Sequence, residues 1–442
     1  MTKKKIVVVG AGIAGLTIGY KLVESGFDVT IIEKNSKAGG LARSFTYGDF
    51  TFDIGPHRFH TDIPEVDKFI KHVLDNEFHT LLRNCSVCLF NKFHEWPLRP
   101  SSIVKLPFKT LISCFFDLFR KKPFKGESFK DYIISKYGKT LFHIFFEEYT
   151  FKYSNTPPSD LHYTWAAASI DRAIIDKNIK VETLIDTLKV ALLPKPVVTI
   201  FTYPSNGGIQ TFSDKLAEKF EKLGGKLILN AEITKINVKD DKLFSLNLKD
   251  TEDIEFDHLV WTAPIPLICE YIGLEKPKLR YLSLIIYNTI LNREINIKEQ
   301  WIYFPSKDLK LTRMSFPNNF SEKLTPKGKD SICVEFTTTD LTKHMEDPSI
   351  QLDGIVNDLE KVGICKKQDI EDIKIEVIPN AYPIYDIGYK EILEKTLKTL
   401  GKFKNVTCSG RCGLFWYNNM DNSIQKGLED AQEIKTLYKE SL

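Results

Sequence analysis

The clearest hydrophobic pattern lies at the start of the chain. Residues Ile6–Val9 are a run of β-branched apolar side chains that ends at a glycine, which is typical of a strand buried on both faces. Residues 16–24 then change to the three- and four-residue spacing of a helix. A second apolar run, Asp28–Ile32, ends at Glu33. The pattern predicts strand, tight turn, helix and strand, in that order.

The tight turn contains three glycines in six residues. In a dinucleotide-binding turn, Gly10 would permit the bend, Gly12 would let the backbone approach a pyrophosphate, and Gly15 would let the helix pack closely on the strand. Ala14 falls in the first turn of the helix, where free N–H groups bind phosphate. Glu33 stands 18 residues after Gly15, where an acid meets a ribose hydroxyl. These five residues predict a dinucleotide site.

Strand patterns return after a long stretch of helical spacing. Residues 62–190 are mostly helical in pattern, whereas residues 226–262 contain four strand-like runs. A predicted helix at 212–223 precedes the first of these runs, so the pair should extend the first sheet. From 281 to 338 strands dominate again, as in an antiparallel sheet. The predicted fold class is therefore α/β, with a Rossmann-type domain, an inserted helical lobe and an antiparallel-sheet substrate lobe.

The lobes are predicted to be discontinuous in sequence. The cofactor-binding domain combines residues 1–61, 205–265 and 400–442, and the helical lobe covers 62–190. The substrate lobe combines 191–204 with 266–399.

Composition narrows the classes of function. The 442 residues carry a net charge of +3, and 43% of them are hydrophobic with a mean hydropathy of −0.19, as in a globular protein that can bury a large cofactor. No global positive field favours nucleic acid, and the basic cluster Arg120–Lys122 with Lys125 is interpreted as a solvated turn.

No apolar run reaches the roughly 18 residues that predict a transmembrane helix. Residues 111–119 come nearest. They are interpreted as a buried helix of the inserted lobe, with an interfacial helix in peripheral membrane contact as the alternative.

The cysteines indicate neither a disulfide scaffold nor a metal site. Eight cysteines in so long a chain are expected to be reduced thiols in the cytoplasm. The pairs Cys85-x-x-Cys88 and Cys408-x-x-x-Cys412 have metal-like spacing, but only His94 lies near either pair. We therefore predict no metal.

The end of the chain predicts one more strand, turn and helix. Residues 405–408 have strand character, the turn follows, and a helix is expected from about Ser423 with Asn422 and Gln425 as its capping box. The positive end of this helix would suit an electron-rich cofactor edge.

The residues after Glu33 refine the identity of the cofactor. The segment 34–43, with its Gly39-Gly40 pair and Arg43, resembles the extended fingerprint of FAD enzymes, which nicotinamide enzymes do not usually share. The resemblance implies FAD as the cofactor and makes the Rossmann-type domain FAD-binding. Besides the residues of the first turn and Glu33, it implies contacts from Lys34, Gly39, Gly40, Leu41, Ala42, Gly410, Arg411, Met420 and Asp421.

Four blocks together resemble UDP-galactopyranose mutases and mutase-like flavoproteins, within the superfamily of amine oxidases and protoporphyrinogen oxidase. They are the first glycine turn, residues 39–41, residues 52–61 and residues 410–421. The most specific block follows the pattern Gly-Pro-His-x-Phe-His-Thr, which the oxidase branches generally lack. In the mutases its histidines lie beside the flavin, so the resemblance places His57 and His60 there.

Three further matches concern the substrate. By resemblance, Arg313, Tyr382 and Tyr417 would hold the diphosphate of a nucleotide sugar, a role that suits a guanidinium and phenolic donors. The chain departs from the mutases where they carry Tyr-Thr-x-Lys-x-Trp-Gly, because Ser154 and Asn155 stand at the Trp-Gly positions.

The resemblance implies a cytoplasmic isomerase that interconverts pyranose and furanose forms through N5 of reduced flavin, in cell-surface glycan biosynthesis. Its partner would be a small-molecule substrate, and NAD(P)H or another donor would reduce the flavin. A FAD-dependent oxidoreductase of the amine oxidase or protoporphyrinogen oxidase type and a non-catalytic FAD-binding protein stay open as alternatives. The sugar, the nucleotide and the oligomeric state are left open by the sequence.

Overall fold

The computed structural model describes residues 3–90, 92–96, 107–120, 123–169, 199–250 and 253–439. Lys121 and Lys122 of the predicted basic cluster lie outside these ranges. So do residues 170–198, which include parts of the predicted helical and substrate lobes.

The strands fall into one parallel sheet, one mixed sheet and three small sheets. In chain order they are β1 Lys5–Val9, β2 Asp28–Ile32, β3 Ser44–Tyr47, β4 Phe50–Asp53, β5 Phe78–Leu82, β6 Cys85–Leu89, β7 Lys92–Glu95, β8 Ile200–Pro204, β9 Lys226–Ile228, β10 Ile233–Lys239, β11 Lys242–Leu248, β12 Ile254–Glu255, β13 His258–Trp261, β14 Tyr281–Leu291, β15 Trp301–Tyr303, β16 Arg313–Ser315, β17 Asp330–Thr338, β18 Ile370–Pro383 and β19 Val406–Cys408.

The α-helices lie between these strands or, for the last two, after β19. They are α1 Ile13–Glu24, α2 Pro64–Val73, α3 Phe108–Phe119, α4 Phe129–Tyr137, α5 Lys139–Leu141, α6 Glu147–Ser154, α7 Thr164–Ser169, α8 Gln210–Lys222, α9 Ile265–Tyr271, α10 Leu341–Glu346, α11 Leu352–Lys361, α12 Tyr389–Leu400, α13 Gly410–Gly413 and α14 Met420–Leu437, with a π-helical turn at Phe142–Phe146 between α5 and α6.

The parallel sheet confirms the strand pattern read at the start of the chain. Its order is β19-β13-β1-β2-β9, and each neighbouring pair is parallel. The central strand β1 is buried, with Val7 2% and Val8 0% exposed, as expected for a continuous apolar run. The pair α8 and β9 extends the sheet beyond β2, as predicted. The carboxyl ends of β1 and β2 point to the glycine turn.

The second large sheet has seven strands in the order β18-β14-β17-β16-β15-β6-β7, antiparallel except for the pair β15 and β6. The mixed α/β architecture is thus confirmed. Residues 78–95 form three strands within the segment interpreted as mostly helical, and two of them, β6 and β7, belong to this sheet. The alternation of residues 85–90 indicates a strand, which β6 confirms, whereas β5 and β7 were not predicted. The domain boundaries themselves stay a prediction.

Helix α3 corrects the interpretation of residues 111–119 as a buried helix. Phe108, Ile112, Phe115 and Phe116 are 76%, 41%, 55% and 52% exposed. These positions recur at helical spacing, so the apolar face points outward and not into a core.

Helix α14 begins at Met420, three residues before the predicted start. Its N-cap is Asn419, which forms a capping box with Asn422, and Gln425 instead bonds Glu429 within the helix. Asn419 and Asn422 are spaced like Asn422 and Gln425, so the sequence offered two overlapping boxes, and the earlier one forms.

Candidate active site

The predicted dinucleotide turn sits at the carboxyl end of β1, and its glycines have different surroundings. A Cβ added to Gly10, whose φ is +101°, would lie 2.3 Å from Thr262 Oγ1, and one added to Gly15 would lie 2.0 Å from the Gly10 carbonyl oxygen. A Cβ on Gly12 would meet no atom of the described residues closer than the Gly40 Cα at 4.0 Å. Gly10 and Gly15 are therefore required by close packing within the fold, whereas Gly12 leaves space for a ligand.

The Gly39-Gly40 pair packs against the first glycine turn. The Gly39 N–H donates to the Ala11 carbonyl at 2.7 Å, and Gly12 and Gly39 form a parallel bridge. Gly39 and Gly40 have φ of +118° and +59°, which favours glycine, and a Cβ on Gly40 would lie 3.1 Å from Gly12 Cα. Two segments far apart in sequence therefore line one space with backbone alone.

Glu33 lies at the end of β2 beside this space. Its carboxylate accepts hydrogen bonds from the Ala11 and Asn35 N–H groups, each at 2.9 Å, and from Asn35 Nδ2 at 2.5 Å. The side chain is 6% exposed. A carboxylate offers about four acceptor sites, so the protein fixes Glu33 and leaves room for a ribose hydroxyl.

The neighbours of the glycine pair are placed around it. Leu41 is partly buried and packs on the hydrophobic core, and Ala42 is buried. Arg43 Nε donates to the Gly40 carbonyl at 2.7 Å and so braces the pair. Lys34 is exposed.

The C-terminal turn meets helix α1. Gly410 has φ +70°, and a Cβ there would lie 3.0 Å from the Ala14 Cβ. Helix α14 packs along α1, where a Cβ on Gly427 would lie 2.9 Å from Thr17. Met420 is 8% exposed and packs in the core between these helices, while Asp421 is partly buried in the first turn of α14. Helix α1 has no side-chain cap among the described residues, so its first-turn N–H groups can bind a phosphate.

The turn after β4 carries His57 and rests on a buried carboxylate. Asp53 accepts hydrogen bonds from Ser44 Oγ and Tyr203 OH, each at 2.6 Å, and from the Ile209 N–H at 2.9 Å. Burial raises the pKa of Asp53 to about 6. From this anchor the chain turns through Gly55, where a Cβ would lie 2.8 Å from Glu335 Oε1, so only glycine fits.

The His57 imidazole is neutral at physiological pH. Burial, and then the positive charges of Arg411 and Arg313, lower its pKa to about 3. Its Nδ1 is buried and has no hydrogen-bond partner within the described ranges. Because such an atom costs free energy unless a ligand satisfies it, it fits a polar edge of the cofactor. His60 is exposed, and its Nδ1 lies 3.1 Å from the Ile200 carbonyl oxygen, so the structure does not bring it to this group.

Arg313 is held by a buried acid. Its Nε and one terminal nitrogen each lie 2.6 Å from a carboxylate oxygen of Glu335, and the two side chains are 16% and 1% exposed. This fork-to-fork pairing raises the pKa of Arg313 against the effect of burial, so the guanidinium stays charged. Sequence reasoning missed Glu335, although a lone acid in the apolar run 332–336 was a signal.

Five tyrosines gather beside Arg313, and we call them the tyrosine cluster. The Tyr382 and Tyr417 ring centroids are 4.8 Å apart, and the hydroxyls of Tyr153 and Tyr417 are 3.0 Å apart. The guanidinium of Arg313 is 5.9 Å from the Tyr303 ring. The members of the cluster are Tyr149, Tyr153, Tyr303, Tyr382 and Tyr417.

Burial raises the pKa of Tyr149, Tyr153 and Tyr417, so these three phenols are neutral hydrogen-bond donors at any physiological pH. Arg411 lies 4.9 Å from the Tyr382 ring and 5.7 Å from the Tyr417 ring. It donates to the Ala381 and Asn418 carbonyls and thereby holds the two tyrosines side by side.

Helix α6 ties the tyrosine cluster to the loop before Arg313. Lys152 Nζ lies 2.5, 2.8, 3.3 and 2.9 Å from the carbonyl oxygens of Phe304, Ser306, Leu309 and Leu311. Burial lowers the pKa of Lys152 to about 7.

The departures after Lys152 have a local explanation. Asn155 adopts the left-handed conformation, φ +53°, which glycine or asparagine accepts most readily. Ser154 turns inward and donates to the Thr150 carbonyl at 2.6 Å. Trp165 of α7, which sequence reasoning missed, packs against Tyr417 and Tyr153 with ring centroids 5.6 and 6.3 Å apart.

The structure thus brings together His57, Arg313, Tyr382, Tyr417 and Arg411 from among the predicted residues. Tyr149 and Tyr153, four residues apart on α6, were missed although this spacing places them on one helix face.

The described residues form neither a metal centre nor a membrane-spanning helix. No group of three His, Cys, Asp or Glu side chains in the described part of the chain is arranged to hold a metal ion, and all eight cysteines are free. No helix within that part is long and apolar enough to span a membrane.

Comparison with known proteins places this geometry in a family. Residues 13–377 match the model of flavin-containing amine oxidoreductases. The chain is 24% identical to a probable UDP-galactopyranose mutase of Klebsiella pneumoniae, over 98% of this chain and 95% of that protein. It is also 24% identical to a 4,4'-diapophytoene desaturase of Staphylococcus haemolyticus, over 60% of this chain and 56% of that protein.

Solved structures share the fold. A crystal structure of reduced UDP-galactopyranose mutase has a TM-score of 0.85 at 22% identity and covers 99% of this chain and 95% of that chain. A putative protoporphyrinogen oxidase from Exiguobacterium has a TM-score of 0.76 at 14% identity, with 99% of each chain covered.

The family match agrees with the site built above. The open space at Gly12, the uncapped start of α1 and the unpartnered Nδ1 of His57 all fit a flavin dinucleotide, so the predicted FAD is confirmed as the cofactor. The chain therefore belongs to the flavin-containing amine oxidoreductase family.

Proposed function

We propose that this protein is a FAD-dependent isomerase of nucleotide-activated sugars, which interconverts pyranose and furanose rings. The observation that carries the proposal is that the charged Arg313 acts electrostatically on the neighbouring pair Tyr382 and Tyr417, and also on His57. Charged guanidinium and neutral phenol groups are suitable donors for a diphosphate. The similarity to a probable UDP-galactopyranose mutase over nearly the whole chain supports it.

The chain's own residues would bind and orient the substrate. Arg313 stays charged because Glu335 holds it, and it would stabilise the departing diphosphate electrostatically. Tyr382 and Tyr417 would donate hydrogen bonds to its oxygens. His57 is neutral and would shape the flavin environment without acting as an acid. When bound and reduced, FAD supplies the nucleophilic nitrogen for this chemistry. We propose that the enzyme acts in the cytoplasm, in glycan biosynthesis.

A second candidate is a FAD-dependent oxidoreductase, which the family match and the desaturase relative favour. It predicts net transfer of electrons from substrate to an acceptor. A non-catalytic FAD-binding protein would show neither reaction.

One experiment separates the three. Holoenzyme, either oxidised or reduced with dithionite, is incubated with UDP-galactose, its N-acetyl analogue and dTDP-linked 6-deoxyhexoses, and the products are resolved by NMR. The isomerase gives a furanose product only when reduced. Consumption of an electron acceptor with an organic substrate, and no furanose from any donor, would establish the oxidoreductase instead.

A further inference from the structure

Arg58 is a partly buried cation for which the described residues supply no acidic partner. Its guanidinium carbon lies 4.2 Å from the Trp301 ring centroid, and one terminal nitrogen donates to the Pro56 carbonyl at 3.1 Å. Its Nε is buried, and no described residue supplies a hydrogen-bond partner for it. The stacking on Trp301 offsets only part of the cost of removing this charge from water.

Arg58 differs in its charge partners from three other arginines of the chain. Arg280, Arg293 and Arg313 each pair with a carboxylate, respectively Asp386, Asp369 and Glu335. Burial lowers the pKa of Arg58, and Tyr303 and Cys85 act in the opposite direction. Two further cations, Arg83 and Arg313, lower this pKa again. Like charges in a poorly solvated region are costly unless an anion lies among them.

The sheet fixes how Arg58 and Arg313 are related. Trp301 and Tyr303 lie two residues apart on β15, so their side chains are on the same face of the sheet and their Cα atoms are about 7 Å apart. Arg58 stacks on Trp301, and Arg313 is the register partner of Tyr303 on β16. The spacing suits an anion with two phosphoryl groups. Glu335 neutralises Arg313, whereas Arg58, like Arg411 beside Tyr382, has no carboxylate partner among the described residues.

We propose that Arg58 is a second anion-binding side chain of the substrate site, which holds the diphosphate together with Arg313. The identity of the anion as a sugar-nucleotide diphosphate rests on the proposed function. Arg58 occupies the variable position of the Gly-Pro-His-x-Phe-His-Thr block, so the resemblance does not prescribe it.

The test measures the affinity of FAD-loaded protein for inorganic pyrophosphate, UDP and uridine by calorimetry. Arg58→Gln should weaken pyrophosphate and UDP binding at least tenfold and leave uridine binding unchanged. Arg58→Lys, which keeps the charge but loses the planar fork, should recover part of the loss. Arg83→Gln is the matched control, because it removes an equal charge nearby and should change each affinity less than threefold. Flavin content and circular dichroism verify folding.

Two results would overturn the inference. One is wild-type affinity for both anions in Arg58→Gln. The other is an equal loss of anion affinity in Arg58→Gln and Arg83→Gln, which would show that the anion senses the summed positive potential and makes no local contact with Arg58. Failure of the proposed function is seen separately: no donor is isomerised by wild type, while the anion loss in Arg58→Gln persists.

Discussion

The backbone site for FAD, which we call the FAD cradle and which is formed around Gly12, Gly39 and Gly40, differs in construction from the tyrosine cluster. The cradle is made of backbone, where Gly12, Gly39 and Gly40 approach one another because they lack side chains. The cluster is made of long side chains from α6, β15, β18 and the segment after α13, held by the buried pair of Arg313 and Glu335. A backbone site depends on steric room, whereas a side-chain site depends on buried charge and hydrogen bonds. Different substitutions should therefore damage each.

The largest effect is expected at Gly15. Gly15→Ala places a Cβ 2.0 Å from the Gly10 carbonyl oxygen, so strand and helix must separate, at a cost of at least about 3 kcal/mol in the free energy of unfolding. Gly12→Val should instead leave the fold intact and abolish FAD loading, because its side chain fills the ligand space. Urea unfolding and flavin absorbance measure the two effects. Loss of stability in both variants, or a yellow Gly12→Val protein, would contradict this division.

The buried ion pair should give the next largest effect. Glu335→Ala leaves the Arg313 charge unpaired and should lower the free energy of unfolding by about 3–5 kcal/mol. The double variant Arg313→Met/Glu335→Leu removes both charges and should recover to within about 1 kcal/mol of wild type. Denaturant unfolding of wild type, Glu335→Ala and the double variant measures these differences in stability. A double variant no more stable than Glu335→Ala would show that packing, and not charge, holds the cluster.

His57 should make folding sensitive to acid. Its pKa is about 3 in the folded protein against an ordinary 6.5, so below pH 6.5 the unfolded chain takes up a proton that the folded protein does not. Stability is then lost as the pH falls from 6.5 towards 3. Asp53 acts in the opposite direction, because its raised pKa of about 6 lets the folded protein take up a proton first.

The variant His57→Asn isolates the histidine contribution. Between pH 6.5 and 4.5 it should lose about 2 kcal/mol less stability than wild type, by urea unfolding at each pH. Identical pH curves for wild type and His57→Asn would contradict the burial argument.

The smallest effect is expected at the end of α6. Asn155→Gly should change the free energy of unfolding by less than about 1 kcal/mol, because glycine accepts a φ of +53°. Asn155→Ala should cost about 1–2 kcal/mol more than Asn155→Gly, because both variants lose the bond from Asn155 Nδ2 to the Thr337 carbonyl and only alanine adds left-handed strain. Equal effects would mean that the side chain matters and the conformation does not.

The same contrast explains what the sequence could predict. The FAD cradle is local in sequence, so the β1 run, the glycines and Glu33 predicted the first two strands of the parallel sheet and a dinucleotide site, and the resemblance of residues 34–43 implied FAD. The cluster depends on pairings across long separations, such as Tyr153 with Tyr417, which no periodicity reveals. Resemblance to a family pointed to Arg313, Tyr382 and Tyr417, but the partner Glu335 and the unprescribed Arg58 required the three-dimensional structure. The start of α14 was missed because two capping boxes overlap.

The most direct test of the central claim uses the Arg313→Met/Glu335→Leu protein, in which the fold is expected to survive without the guanidinium. Flavin content and UDP affinity are measured on one preparation. If backbone holds FAD and the cluster holds the substrate, flavin content equals that of wild type while UDP binding weakens by about 2–3 kcal/mol. Loss of flavin with unchanged UDP affinity would contradict the account.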